Sequence, residues 1–355
     1  MKALPVIAEA VVDWQRVHGR HGLPWHGSRD PYRVWLSEIM LQQTQVSTVL
    51  AYYQRFLEQF PDVRALAAAS QDQVLALWSG LGYYSRARNL HRCAIAVVDQ
   101  HGGQFPRSAE QLAQLPGIGR STAAAIAAFC FNERVAILDG NVKRVLARVL
   151  AFGADLASAR EERRLWTLAT QLLPEREPDM AAYTQGLMDL GATVCLARTP
   201  LCGACPLQGI CAAQRRGTPQ DYPVKSRRTK RTQRENWWLW LQWRGQVWLQ
   251  QRPQTGVWAG LWTLPLFSDE GTLHQALGQL DAAGTELPVI EHALTHFDWT
   301  LRPWRVVFNT RPPEPGMAAL GAGRWVALSD LDSIALPAPL GKLLRSAAAA
   351  VPVPA

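Results

Sequence analysis

No uninterrupted apolar run in this 355-residue chain is long enough to span a bilayer, so a helical membrane span is excluded. The N-terminal apolar pattern is broken by Glu9 and Asp13, which reads as an amphipathic first helix and not as a signal peptide. Cysteine is scarce. There are six, and Cys93 and Cys130 stand alone in apolar helical stretches, where a small buried hydrophobe is the ordinary reading. A disulfide framework is therefore not expected, and thiols that must stay available to a metal imply a reducing, cytoplasmic compartment. No internal repeat is found. What is present suits two domains, since 48% hydrophobic residues over this length can fill two cores.

Acidic residues run short in only part of the chain. Residues 1–236 hold 29 Lys and Arg against 20 Asp and Glu, a net of +9, whereas residues 237–355 hold 8 against 9, a net of −1. Such an excess fits a polyanionic partner, and it also fits solubility alone. The texture changes near residue 220. Before it, apolar residues recur at three- and four-residue intervals over 31–57, 71–78, 88–98, 121–131, 142–150 and 161–173, which predicts helices. Residues 217–221 are turn-rich and 225–234 carry six basic residues in ten, as in an exposed linker able to touch phosphate. Beyond it, 238–243 and 246–250 read as a strand pair turning at Arg244 and Gly245, and 293–309 as further strand. Ten of the fifteen tryptophans lie after residue 236, mostly as core for a sheet-and-helix domain. The expected organisation is a mostly α domain over 1–217, a basic linker over 218–236 and an α+β domain over 237–347.

Cys195, Cys202, Cys205 and Cys211 have the spacing C-x6-C-x2-C-x5-C, which can wrap one compact metal group. Four thiolates are the usual ligand set of a 4Fe-4S cluster, and Pro206 helps fix the short loop over 195–211. A four-thiolate zinc site is the rival reading, although zinc ribbons pair two C-x2-C knuckles and this segment has one.

The run Leu115-Pro116-Gly117-Ile118-Gly119-Arg120-Ser121-Thr122 precedes an alanine-rich helix and reads as a helix-hairpin-helix. Gly117 and Gly119 would let the turn bring backbone N–H groups onto a phosphate at a helix N-terminus. A plain packing connector between two helices would look the same.

Two carboxylates stand out. Glu38 is flanked by apolar residues in Val34-Trp35-Leu36-Ser37-Glu38-Ile39-Met40-Leu41, so desolvation should raise its pKa and make it a candidate general acid. Asp139 follows Ala136-Ile137-Leu138 and opens a helix near Val142, where amide donors and the positive helix end favour its ionised form. One protonated carboxyl and one carboxylate are what cleavage of a glycosidic bond through an oxocarbenium-like state requires. The plainer alternatives are a helix cap for Asp139 and a partly exposed helix residue for Glu38.

Taken together, Pro24-Trp25, the run from Trp35 to Val46, Gly80-Leu81-Gly82-Tyr83-Tyr84, the hairpin, Ile137-Leu138-Asp139-Gly140-Asn141-Val142-Lys143-Arg144 and the four cysteines resemble the MutY family of adenine DNA glycosylases. That family belongs to the endonuclease III superfamily, and the resemblance covers essentially the whole chain. It implies a helix-hairpin-helix glycosylase domain with a 4Fe-4S loop, acting as a monomer on double-stranded DNA, without a membrane, in a bacterial cytoplasm and nucleoid. Adenine opposite 8-oxoguanine or guanine would be flipped out and excised in base excision repair. Glu38 would protonate the base and later help activate water, Asp139 would stabilise the positive sugar, and Asn141 and Ser121 would support them. Bifunctional relatives carry a nucleophilic lysine where this chain has Ser121, so the resemblance implies base removal without efficient strand cleavage. It further assigns Trp25 and Gln185 to the adenine pocket and Gln43 and Tyr83 to a wedge in the duplex. Thr44 would lie near 8-oxoguanine, and Leu115, Gly117, Gly119 and Lys143 would contact DNA.

The second domain resembles the family's Nudix-like lesion-reading domain through residues 247–253 and 256–265. No R-E-x-x-E-E arrangement follows Phe267, so the metal-binding carboxylates of a diphosphate hydrolase are missing. The family's Phe-Ser-His stretch aligns with Leu294-Thr295-His296, which implies lesion contacts from Thr295 and His296. Two other functions remain open: a glycosylase for another mispair such as thymine opposite guanine, and a non-enzymatic iron–sulfur DNA-binding protein.

Overall fold

The computed structural model describes residues 4–226 and 230–348. Contacts divide the chain into two compact units, Met1–Ala67 with Arg92–Arg228, and Ala68–His91 with Thr229–Ala355. The first half runs as α1 (Leu4–His18), α2 (Pro31–Leu41), α3 (Val46–Gln59), α4 (Val63–Ala68), α5 (Gln71–Leu77) and α6 (Ser85–His101). There follow α7 (Ala109–Leu112), α8 (Arg120–Phe131), α9 (Gly140–Val149), α10 (Ala159–Gln171), α11 (Met180–Asp189) and α12 (Ala212–Arg215). Among the described residues no helix is long and apolar enough to cross a membrane.

Asp30 starts α2: its side chain accepts from the Tyr32 N–H at 2.9 Å, and Pro31 sits in the first turn. The single helix expected over 31–57 is two helices. Gln42 leaves the helical region, Gln43 takes φ of 56°, and Gln45 is extended before α3 begins. Four polar residues, Gln42 to Gln45, interrupt the apolar spacing at this break. In α8 the alanines Ala123 to Ala125 with Ala127 and Ala128 are buried on all sides of the helix, which α2, α7 and α11 approach. The core of this unit is filled from α1, α8, α9, α10 and α11, including Val11, Leu146, Leu165 and Leu187.

The second unit is built on β1 (Thr232–Trp243), β2 (Gln246–Gln251), β3 (Trp262–Thr263), β4 (Leu266–Phe267), β5 (Thr285–Glu286), β6 (Ile290–Ala293), β7 (Phe297–Phe308) and β8 (Arg324–Ala327). Its helices are α13 (Glu270–Gln279), α14 (Glu314–Leu320) and α15 (Ala338–Ala348). β1 and β7 pair in parallel, from Thr232 opposite Phe297 to Trp243 opposite Phe308. β1 turns into β2 through Arg244 and Gly245, at φ of 47° and 72°, a left-handed pair matched to the strand twist. α13, capped by Asp269, lays Leu273 and Leu277 against Leu239, Leu241 and Val306. The strand expected over 293–309 is a hairpin instead: Leu294 to His296 turn between antiparallel β6 and β7, with Leu294 N–H donating to Phe297 O at 2.9 Å.

The segment 68–91 belongs to this second unit. Ser79 Oγ and Tyr84 OH both donate to the Leu336 carbonyl, at 2.9 and 3.0 Å, and Arg88 donates to Ala259 O at 2.8 Å.

Candidate active site and cysteine loop

A cleft of about 1380 Å³ opens in the first unit. α2 gives it Val34, Ser37, Glu38 and Leu41, and the break after α2 adds Gln42, Gln43, Thr44 and Gln45. Trp25, Ser121, Asp139, Asn141 and Gln185 line the same space, so residues from six separate stretches of chain meet there. Among the described residues its lining carboxylates are Glu38 and Asp139, beside Arg16, Arg20, Arg29, Arg144 and Lys225.

Glu38 has no hydrogen-bond partner among the described residues. Burial pushes its carboxyl group up to about 8, and the nearby charge of Asp139 adds to the rise. Nothing opposes these two effects. Asp139 caps α9, with extended backbone (φ −72°, ψ −179°) and its carboxylate accepting from Val142 N–H at 2.7 Å. Burial raises its pKa as well, opposed by the Val142 and Asn141 amides and by Arg144 and Lys143. The donors expected at a helix start are present, but desolvation outweighs them. Of the two groups, Glu38 is therefore the one held neutral, while Asp139 keeps a surround built for a negative charge.

The flanking residues fix these two positions. Ser121 Oγ accepts from Leu138 N–H at 3.1 Å, tying the chain before Asp139 to α8. Gln42 donates to Thr122 Oγ1 at 3.4 Å. Asn141 packs against Gly191, where an added Cβ would stand 2.6 Å from the Asn141 Cβ; only glycine permits the approach. Gly191 lies in a π-helical turn, Leu190–Val194, that continues α11 and ends at Cys195. Trp25 is buried edge-on against Tyr53, with ring centroids 5.2 Å apart.

α9 also leads to the cysteine loop. Arg144 donates to Asn141 Oδ1 at 2.8 Å, Gly191 O at 2.6 Å and Cys195 O at 2.8 Å. One turn on, the buried Arg148 donates to Leu196 O at 2.6 Å, Ala197 O at 2.8 Å and Pro219 O at 2.7 Å, and lies 3.3 Å from Cys195 Sγ. None of the four cysteines is in a disulfide, and all line one pocket with Val194, Leu201 and Leu207. Burial pushes the Cys205 thiol up to about 11, and Cys195, Cys211 and Cys202 lie close enough to add to it. Among the described residues no three such side chains are grouped as one metal ion requires. Four thiols around one pocket are the usual ligand set of a single iron–sulfur cluster.

The hairpin joins α7 to α8. Gly117 (φ 76°) and Gly119 are exposed, whereas Leu115 and Ile118 are buried anchors. Leu115 donates to Leu112 O and accepts from Ile118 N–H, so its backbone is committed within the turn. Lys143 is ion-paired with Glu162 at 2.5 Å. Tyr83, Thr295 and His296 belong to the second unit and are not among the residues that line the cleft. Tyr83 is 46% exposed at φ of 49°, so both residues assigned to the wedge, Gln43 and Tyr83, occupy the sparsely populated left-handed region. Thr295 and His296 are exposed at the β6–β7 turn.

Sequence reading missed one cluster beside the cleft. Asp189 is fully buried and receives Arg20 through its backbone N–H (2.9 Å) and Nε (2.7 Å) and Gln185 through Nε2 (2.9 Å). The signal was the one that exposed Glu38, an acid between apolar neighbours in Leu187-Met188-Asp189-Leu190.

Comparison with known proteins agrees with this geometry. Residues 36–171 match the HhH-GPD superfamily of base excision DNA repair proteins, 195–211 the iron-sulfur binding domain of endonuclease III, and 236–346 the NUDIX domain. The loop over 195–211 is thus a 4Fe-4S site. An adenine DNA glycosylase of Buchnera aphidicola subsp. Schizaphis graminum is 31% identical over 96% of this chain and 98% of its own. One from Mus musculus is 35% identical over 92% of this chain and 75% of its own. The solved structure of a thermostable thymine-DNA glycosylase aligns with TM-score 0.53 at 26% identity, covering 61% of this chain and 98% of that one. These matches, on a helix-hairpin-helix glycosylase domain followed by a NUDIX domain, show that the chain belongs to the adenine DNA glycosylase family.

Proposed function

We propose that the protein removes adenine standing opposite 8-oxoguanine or guanine in double-stranded DNA, by flipping the adenosine into the cleft and hydrolysing its N-glycosidic bond with acid assistance. The observation that carries this reading is the pair of carboxylates in one cleft with opposite surrounds: Glu38 neutral, Asp139 supplied with donors. Glu38 gives its proton to a ring nitrogen of the base, the C1′–N9 bond breaks, and its electron pair leaves with adenine. The sugar passes through an oxocarbenium-like state that the Asp139 carboxylate stabilises. Glu38, now ionised, takes a proton from the water that bonds to C1′, leaving an abasic site and free adenine. Asn141 and Ser121 hold Asp139 in place. With Ser121 spent on the Leu138 amide, and no lysine there, the enzyme releases the base without cutting the strand.

Gln43 and Tyr83 fill the duplex where the base has left, at a cost of a few kcal/mol of unstacking that a mispair partly offsets. Thr44, Thr295 and His296 read the opposite base. Gly117 and Gly119 offer amides to phosphate, with Leu115 anchoring their turn, and Lys143 adds charge near it. The cluster, held by Cys195, Cys202, Cys205 and Cys211, braces a loop beside Arg198, Arg215 and Arg216 and performs no step of the reaction. The protein works as a monomer.

Single-turnover incubation with a duplex holding one adenine opposite 8-oxoguanine, followed by alkali, tests this. Alkali-dependent cleavage at that adenine is expected, with little product from borohydride trapping. Release of thymine opposite guanine in preference to adenine would overturn the substrate, and nicking without alkali would overturn the monofunctional chemistry.

A further inference from the structure

A primary amide carries a donor end and an acceptor end, and its orientation decides which a ligand meets. At Gln185 that orientation is not free. The buried Asp189 carboxylate can only accept, so the Gln185 Nε2 must face it, 2.9 Å from Oδ1. Asp189 is itself pinned by Arg20, whose backbone N–H holds Oδ2 at 2.9 Å while Nε and Nη2 hold Oδ1 at 2.7 and 2.6 Å. Reversing the amide would lose this hydrogen bond and set an oxygen against a carboxylate oxygen in a low-dielectric surround. The Gln185 Oε1 therefore points away from Asp189. It has no partner among the described residues, on a side chain that lines the cleft with Glu38 and Asp139.

We propose that Asp189, held by Arg20, is a specificity-determining positioning residue: it locks Gln185 with its acceptor toward the flipped base, selecting purines that carry an exocyclic amino group at position 6 over 6-oxopurines. This rests on the adenine reading of the same cleft. The amino group of adenine donates to Oε1, whereas the oxygen of hypoxanthine meets it lone pair to lone pair. Without Asp189 the amide is free to turn and offers N–H groups to a 6-oxo oxygen as readily. The carboxylate touches neither base nor sugar, so its effect appears in the choice of base.

Single-turnover release of adenine and of hypoxanthine, each opposite 8-oxoguanine, tests this in three proteins. Replacing the ion pair together, Arg20→Met with Asp189→Leu, leaves no lone buried charge, an exchange often neutral for stability. The ratio of adenine to hypoxanthine release should fall by about 10- to 100-fold, the worth of one mismatched hydrogen bond. Gln185→Leu, with the ion pair intact, should lower the ratio similarly. Adding the pair replacement to Gln185→Leu should then change it by less than about twofold, because both act through one amide. An unchanged ratio in the pair replacement, with iron content and melting temperature retained, overturns the inference and leaves adenine excision standing. If the pair replacement does not fold, an unchanged ratio in Gln185→Leu overturns it equally. Wild-type protein that releases no adenine would contradict the function instead.

Discussion

The cleft of the first unit and the surface of the second hold their acids in different ways. In the first, Glu38 and Asp139 line one cleft, desolvated, with no side-chain ion pair to either. In the second, acids sit at the surface beside cations: Glu235 and Glu286 flank Arg302 at 2.6 and 3.5 Å, Asp298 pairs with Arg231, and Asp332 with Arg345 at 2.9 Å. Exposed pairs of this kind contribute little energy. Among the described residues, the acids that burial raises are both in the first unit. The second unit presents instead a turn between β6 and β7 with Thr295 and His296 exposed.

Asp139→Asn attacks the contrast most strongly. Asn caps a helix about as well as Asp, so melting temperature should hardly move while adenine release falls by about 100- to 1,000-fold, as when one transition-state charge partner is lost. Normal excision would reduce Asp139 to a cap.

Acidity gives the next largest effect. The Glu38 pKa is raised to about 8, so the neutral acid dominates below that pH and is lost above it. Single-turnover rates should fall about tenfold per pH unit on the alkaline side, and this limb should vanish in Glu38→Gln. Rates that keep rising through pH 9 would remove Glu38 from the acid role.

Cys202→Ser asks whether the first unit needs its loop. Iron should drop from about four per chain, and folding yield and DNA affinity should fall together because Arg148 and Arg144 anchor the loop to α9. Full iron with normal affinity would contradict a bracing role.

The smallest effect is expected in the second unit. His296→Ala should weaken binding to 8-oxoguanine pairs by about 1–3 kcal/mol, one base contact, while the rate of release stays near normal. A point change is the cleaner test. Cutting the chain near Asp221 should spare excision opposite guanine, yet it also strips Ser79, Tyr84 and Arg88 of their carbonyl partners at Leu336 and Ala259.

Local motifs made much of this legible. Apolar neighbours announced the burial of Glu38, the residue before α9 announced a cap at Asp139, and four spaced thiols announced one site. What stayed hidden depends on distant chain or on single backbone angles. The α2–α3 break rests on Gln43 turning left-handed, and the β6–β7 turn lies inside a run that reads as strand. Arg20 and Asp189 are 169 residues apart, and no local pattern pairs them.

The account turns on a separation of chemistry from lesion reading. Its most direct test compares Glu38→Gln with His296→Ala on one duplex carrying adenine opposite 8-oxoguanine, measuring both the excision rate constant and the dissociation constant. Glu38→Gln should lose about 100-fold or more in rate with binding intact, and His296→Ala should lose binding with rate intact. If both variants lose rate and affinity together, the two units do not divide the work, and the central claim fails.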